Sequence, residues 1–477
     1  MSIESAISPA AADEVDSFVG RLDSALGEQW TPATRKWVAR APGRLDVMGG
    51  FAEYSGSLVL SYPLARGVLV AVAPRDDQSI LLCSLGHEGN GSPQQCRLPL
   101  SLFYRADGAV ADPDTVAAAV HREGCDSARD VAAALYAMLK RRTVEHFGGG
   151  ATIGVRSGLS GTVGLGAAAA VSVASVSALA RALDVQLTPM ACAELATHGQ
   201  NLLCNRAQGI AEAAGIVLGR PGEILQLHCR TREILGGLPL PAGVTLAGID
   251  CGARSPLAGE KYMDARAAAF MGRKIIARIM ASATGGSLNW SGHLSQVSVA
   301  DYVERLRDRL PTKIKGAAFI ERFGESDDPL SSIDPAKLYK VRSRAEHHIY
   351  ENARAQQFVE RTARAVRTGD RQAVIEAGEL MYASHWSYGQ RCGLGSIETD
   401  RLVNLLRKMG PSGGVYGAKI SGRGAGGTVV VMHADSDQAR DAVRRVVEEY
   451  ARHTDCGPDT LTGTGPGAAA WGVHEIS

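Results

Sequence analysis

Four hundred and seventy-seven residues are enough chain for about two or three domains and a large buried core. Hydrophobic residues make up 45% and charged residues 21%, the balance of a folded globular protein rather than a disordered or fibrous one. Fifty-one Lys plus Arg against fifty Asp plus Glu leave a net charge of +1, which excludes a bulk electrostatic footprint for nucleic acid or an anionic membrane.

Met1 to Asp16 holds Glu4, Asp13 and Glu14 and no basic region ahead of an apolar core, which argues against a secretory signal and for a cytosolic location. A helix is predicted over 11–27, and a strand from Trp37 runs to the turn signal Ala41-Pro42-Gly43-Arg44. Val, Leu and Ile concentrate in 57–73 and 79–84, read as strands, and scattered Gly, Pro and Asp make 85–127 a loop. Helix 128–145 and strand 151–156 lead to a glycine loop at 158–166. The helix after it, 167–183, is apolar but rich in alanine and carries Ser172, Ser175, Ser177 and Arg181, so it reads as buried rather than membrane-spanning. Shorter helices reach 216, and strands follow at 223–229 and 244–250.

The second half shows 3.6-residue apolar spacing over 260–283, 298–309, 338–366, 370–386 and 397–409. Strands 415–421 and 427–433 flank a second glycine loop, helix 437–452 follows, and 468–474 closes the chain as a strand. An α+β protein of two lobes with a ligand between them is expected, divided into residues 1–235 and 236–477. The nine cysteines are at least twelve residues apart, so no CxxC pair serves zinc or redox chemistry. His347, His348 and His385 lie in helical segments without partners at ligand spacing and read as structural. Glu325 to Asp328 reads as a solvated loop.

Two glycine loops carry the chemistry. Gly158–Gly166 (GLSGTVGLG) opens a helix after a strand, an arrangement that aims backbone N–H groups and a positive dipole end at one point and so can hold phosphate. Gly422–Gly427 (GRGAGG) lies between two strands. Neither is a GxxxxGK[ST] loop, and the second is a weak dinucleotide signal because a strand follows it. No GxSxG elbow is present.

Ala41–Leu60 (APGRLDVMGGFAEYSGSLVL) resembles the first motif of the GHMP small-molecule kinases. The loop at 158–170 sits where that superfamily has its phosphate-binding second motif, and Gly417–Val429 (GAKISGRGAGGTV) resembles its third. Within the superfamily the chain is similar to the arabinokinase and galactokinase group. That similarity rests on Arg44–Gly50, Phe270–Ile275, Ile349–Arg354, Ser384–Tyr388 with Cys392–Gly395, and Thr399–Val403, and it covers nearly the whole chain from about residue 36.

The resemblance implies a two-lobed GHMP-kinase fold and ATP-dependent phosphorylation of a small monosaccharide at its anomeric hydroxyl. It assigns Arg44 to charge near the attacking oxygen and Glu212 to the catalytic carboxylate. Glu53, Gly209 and Tyr262 fall at sugar-binding positions. Gly164, Leu165, Gly166, Ala167 and Ala168, with Gly422, Arg423 and Gly424, fall at nucleotide-binding ones. The implied partners are a sugar and a nucleotide, with no nucleic acid and no membrane.

Departures from the family pattern accompany the matches. The serine run of the second motif is Ala167–Ala170 here, so its magnesium-binding hydroxyl is missing at Ala168, and the magnesium-binding glutamate aligns with Gln200. Mg²⁺ wants hard, preferably anionic oxygens, so these changes put a magnesium site in doubt, and no metal ligands are assigned. Thr162 replaces a loop glycine. Glu212 and Glu53 stand for aspartates and reach one methylene further, on the order of 1.5 Å. Arg423 and Arg206 add cations, suggesting that arginines replace magnesium as phosphate-binding charge. Two readings follow: a sugar 1-kinase, or a divergent relative that lost Mg-ATP phosphoryl transfer and binds or transforms a sugar or sugar phosphate.

Overall fold

The computed structural model describes residues 9–30, 35–87, 92–123, 125, 127–159, 164–283 and 290–476. Thr162 and the rest of Ser160–Val163, the middle of the first glycine loop, lie outside the described residues.

The first half is built on strands β1 (Lys36–Met48), β2 (Leu58–Arg75), β3 (Ser79–His87), β4 (Gln94–Pro99), β5 (Gly150–Ser157), β6 (Glu223–His228) and β7 (Glu233–Pro239). The second half adds β8 (Val244–Arg254), the short pair β9 (Ile314–Lys315) and β10 (Leu338–Tyr339), then β11 (Val415–Ile420), β12 (Gly426–Ala434), β13 (Asp459–Leu461) and β14 (Val473–Ile476). The large sheet runs β14-β1-β2-β5-β3-β4, with β6 pairing β2 and β7. A second sheet runs β11-β12-β8-β13. The last strand of the chain thus pairs with the first, Lys36 opposite Ile476.

β1 does not stop at the predicted turn. It runs on to Met48, fully buried, with register shifts between Pro42 and Arg44 and between Asp46 and Met48. A proline is tolerated inside a sheet at such a bulge, which is why Pro-Gly punctuation did not end the strand here. Gly43 is needed for space: a Cβ there would sit 2.6 Å from a Leu159 methyl.

The segment expected to be a loop, 85–127, contains β4 and a helix, Pro113–Glu123. In β4 only Cys96 and Leu98 point inward, too short an alternation to stand out, and Pro113 begins the helix at a position where its missing N–H costs nothing. β7 and helix Gly316–Phe323 were also not expected, and Ala468–Ile476 is a helical turn followed by β14 rather than one strand.

Helix Ala167–Ala182 lies buried against β1 and β2 and against helices Ala128–Lys140 and Pro189–Leu203, as its alanine-rich sequence implied. Among the described residues no helix is long and apolar enough to cross a membrane. The main core joins these helices to the sheet and extends to Ala355, Phe358 and Ala365 of helix Val341–Thr368. A second core lies between helix Ala258–Ala283 and the N-terminal half of Val341–Thr368. Helices Ile397–Met409 and Asp437–Arg452 cover the small sheet.

Candidate active site

Three glycine-bearing segments distant in sequence meet at one place. The Arg44 amide donates to the Leu165 carbonyl at 2.9 Å, tying β1 to the first glycine loop. The Ser421 hydroxyl donates to the Gly164 carbonyl at 2.9 Å and accepts from the Asp46 amide at 2.9 Å, tying the second loop to both. The loops touch backbone to backbone: a Cβ on Gly422, whose φ is +71°, would lie 2.7 Å from Gly164 Cα, and one on Gly164 would lie 2.6 Å from the Ser421 carbonyl oxygen. Only glycine permits that approach. Gly424 is likewise filled by Leu394, and the Ala425 amide donates to the Leu394 carbonyl, so the turn after helix Arg371–Ser387 props the second loop.

A cavity of about 380 Å³ opens where the loops meet, lined by Gly164, Gly166, Ala167, Ala168, Arg206, Glu212 and Arg423 together with Asp130, Ala258 and Gly259. Helix Ala167–Ala182 starts at this wall from Gly166, and no side chain caps it, which leaves its first backbone N–H groups and positive dipole end for an anion. The two arginines singled out in the sequence are cavity residues rather than solvated surface. Arg423 donates to the Gln208 amide oxygen at 2.8 Å and lies 4.9 Å over the Tyr262 ring.

The carboxylates and Arg44 pack beside this cavity, and Glu212 reaches its wall. Arg44, 5% exposed, reaches Glu212 Oε1 with Nη2 at 3.3 Å, while its Nε and Nη1 are buried without a partner. Burial works against the Arg44 charge, but the carboxylates of Glu212, Asp46 and Glu53 outweigh it and hold the guanidinium pKa above its usual value. Glu53 accepts from the Gly209 amide at 2.6 Å and the Ala211 amide at 3.1 Å, so it satisfies a backbone N–H at the start of helix Ala211–Leu218 from outside that helix. Burial raises the Glu53 pKa, opposed by the Gly209 N–H and by Arg44. Gly209 leaves the room: a Cβ would meet the Glu53 carboxyl at 2.9 Å. Tyr262, buried, donates its hydroxyl proton to the Ala207 carbonyl at 2.8 Å.

Sequence reasoning missed Arg266. It makes a paired contact with Asp328 at 2.6 and 2.7 Å, donates to the Ala207 carbonyl at 3.2 Å, and covers the Tyr54 ring at 4.4 Å. Asp328 is therefore not part of a solvated acidic loop; its side chain is fully buried. An arginine one helical turn beyond Tyr262 was the available signal, visible only once the helix phase was known.

Beneath the first motif lies a buried polar network. Lys419 and Asp46, both fully buried, pair at 3.4 Å, and the Tyr388 hydroxyl donates to Asp46 at 3.3 Å while accepting from the Phe51 amide at 3.0 Å. Glu351 accepts from the Gly49 amide and the Ser384 hydroxyl and pairs with Arg354. His348 bonds the Tyr54 hydroxyl and His347 the Ser387 hydroxyl, both rings buried, and His385 lies 3.2 Å from Asp400. Among the described residues no group of three metal-ligating side chains forms; His348, through the Tyr54 hydroxyl, and His347, packed against Phe51, brace the loop that carries Glu53.

The comparisons agree with this geometry. The chain matches the galactokinase galactose-binding signature over residues 27–74, the GHMP kinases N terminal domain over 129–220 and the GHMP kinases C terminal domain over 364–452. It is 32% identical to the L-arabinokinase of Arabidopsis thaliana over 92% of its own length and 47% of that protein's, so it spans about half of that relative. The galactokinase of Chloroflexus aggregans is 26% identical over 89% of this chain and 90% of its own. The crystal structure of Lactococcus lactis galactokinase with galactose superposes with a TM-score of 0.69 at 17% identity, covering 97% of this chain and 99% of that one. The Methanococcus jannaschii mevalonate kinase superposes with a TM-score of 0.55 at 13% identity, over 90% and 98%; these two likenesses speak to the fold.

Three glycine motifs docked on one another, on this fold and with the two GHMP kinase domain matches, place the chain in the GHMP kinase superfamily. Within it the chain stands with the L-arabinokinase and galactokinase relatives.

Proposed function

We propose that the protein is an ATP-dependent sugar 1-kinase, transferring the terminal phosphoryl group to the anomeric hydroxyl of an arabinose- or galactose-like monosaccharide. The observation that carries this reading is the Arg44–Glu212 pair set against the uncapped start of helix Ala167–Ala182: the carboxylate lines one cavity with the phosphate cradle, and the guanidinium it pairs with behind that wall has two unspent donors.

Phosphoryl transfer asks a protein mainly to position the reactants and neutralise spreading negative charge. Glu212 is the group to orient the sugar hydroxyl and take its proton, and the buried donors of Arg44 face the charge that develops on the transferred oxygens. Glu53 and Tyr262 stand at the sugar end. Gly164–Ala168, Gly422, Gly424 and the guanidinium groups of Arg423 and Arg206 stand at the phosphate end, with ATP as the nucleotide. Neither Ala168 nor Gln200 fits the part of a magnesium ligand: alanine offers no oxygen, and the Gln200 amide is fully buried and hydrogen-bonded inside the protein.

The test is ADP release by the purified protein on a panel of pentoses and hexoses. Turnover that requires a sugar, with arabinose or galactose stereochemistry preferred, supports the reading. Sugar binding without ADP release favours the alternative of a sugar-binding relative that has lost phosphoryl transfer.

A further inference from the structure

Helix Ala128–Lys140 begins beside the cavity, and the Asp130 carboxylate lines its wall with Ala167, Ala168, Arg206 and Glu212. Asp130 accepts from the Gln200 amide at 2.9 Å and from the Cys204 thiol at 3.7 Å, and no ion pair holds it among the described residues. Gln200 is fully buried, and its NH₂ group also donates to Ser172 at 2.5 Å and to the Ala168 carbonyl at 3.4 Å, while its amide oxygen has no partner. Three acceptors around one nitrogen leave no choice of amide orientation: the donor side faces Asp130. A glutamate at position 200 would set a second carboxylate within hydrogen-bond reach of Asp130, where like charges disfavour each other. The two positions hold one carboxylate between them, and in this chain it sits on the neighbouring helix.

Resting on the kinase reading above, we infer that Asp130 is the carboxylate that holds the divalent cation accompanying the nucleotide, with Gln200 as the positioning residue that aims it. Mg²⁺ characteristically keeps several waters and takes only one or two carboxylates besides the substrate phosphates, so a single acid on this wall meets its needs. The methyl groups of Ala167 and Ala168 border the same space without offering a competing ligand. An independent observation marks the neighbourhood as built for an anion such as the nucleotide's phosphates: the buried Nε and Nη1 of Arg44, whose side chain packs behind Gly166, have no partner in the protein. Arg206 and Arg423 would then meet phosphate oxygens while Asp130 would hold the accompanying cation, which divides the charge among more groups than arginines replacing magnesium outright.

The experiment is calorimetric titration of the full chain with ATP, once with Mg²⁺ and once with a chelator. It is paired with electron paramagnetic resonance of Mn²⁺ in the presence of a non-hydrolysable ATP analogue. Mg²⁺ is expected to strengthen ATP binding by the wild-type protein. Asp130→Asn is expected to abolish that strengthening, with a loss of at least about tenfold in Mn²⁺ affinity. Metal-free ATP should bind the variant at least as tightly as it binds the wild type, because a negative charge beside the phosphates is gone, and that binding also shows that the variant is folded. Gln200→Leu should weaken Mn²⁺ binding less, and Asp130→Asn with Gln200→Glu should restore it by returning the carboxylate to the other helix. An acid that only stabilises the start of its helix would shift the melting temperature of the variant and leave the cation dependence intact, and that result overturns the inference. Binding of ATP by the wild type with no Mg²⁺ effect also overturns it and returns the phosphate charge to the arginines alone. Failure of the wild type to bind ATP at all removes the kinase reading itself.

Discussion

The two ends of the candidate site are built differently. At the end proposed for the sugar nearly every polar group is already engaged: Glu53 by two backbone amides, Tyr262 by Ala207, Arg266 by Asp328, and Tyr54 by His348. At the end proposed for phosphate glycine and alanine make up much of the wall, the helix start is uncapped, and Asp130 has only neutral hydrogen-bond partners among the described residues. The first arrangement fixes a shape before the ligand arrives, whereas the second leaves donors and charges for the ligand to satisfy. Arg44 belongs to both, with one nitrogen held by Glu212 and two unspent, and it is where the ends are joined.

Substitutions should separate the ends, and the largest effect belongs to their junction. Glu212→Gln keeps the shape and removes the proton acceptor; sugar-dependent ADP release should fall by about 10²–10⁴-fold with ATP affinity nearly unchanged, measured by a coupled assay and by calorimetry. Arg266→Met leaves Asp328 buried and unpaired; urea unfolding should show a loss of about 3–5 kcal/mol, and sugar binding should weaken more than nucleotide binding. Gly422→Ala pushes a Cβ against Gly164 at a φ of +71°, so it should cost about 1–3 kcal/mol of stability and weaken ATP binding while sparing sugar binding.

The smallest of these effects is graded with pH. Burial, reinforced by nearby cations including Arg354 and Arg391, holds the His347 ring well below the usual histidine pKa, and burial does the same to His348. As pH falls below about 6.5 the unfolded chain takes up protons that the native rings refuse. Stability should therefore drop by ~1.4 kcal/mol per pH unit per histidine and return as pH rises. Because His348 holds Tyr54, sugar binding should weaken in acid before nucleotide binding does.

The phosphate end was the more legible half in the sequence, since close backbone approach demands glycine and glycines at fixed offsets are visible in one chain. Arg44, Glu53, Glu212, Arg206 and Arg423 were named from resemblance and from departures within it, and the fold brings all five to one region around the two ends of the candidate site. Asp130 was passed over because an acid in the first turn of an apolar helix is ordinary dipole complementation. Its meaning depends on a contact with Gln200 across seventy residues. Arg266 and Asp328 stayed hidden for the same reason, being a pair made by tertiary packing. Among the elements, long periodic helices were read well. β4 and β7 were too short or too exposed to show an alternating pattern, and β1 continued through Pro42 because a bulge absorbed it.

The most direct measurement is phosphorus NMR of a reaction containing the protein, ATP with Mg²⁺, and L-arabinose or galactose. The account predicts a new resonance coupled to an anomeric proton, growing in step with ADP and absent with Glu212→Gln. Formation of inorganic phosphate alone, or of a phosphate ester at another hydroxyl, would contradict it.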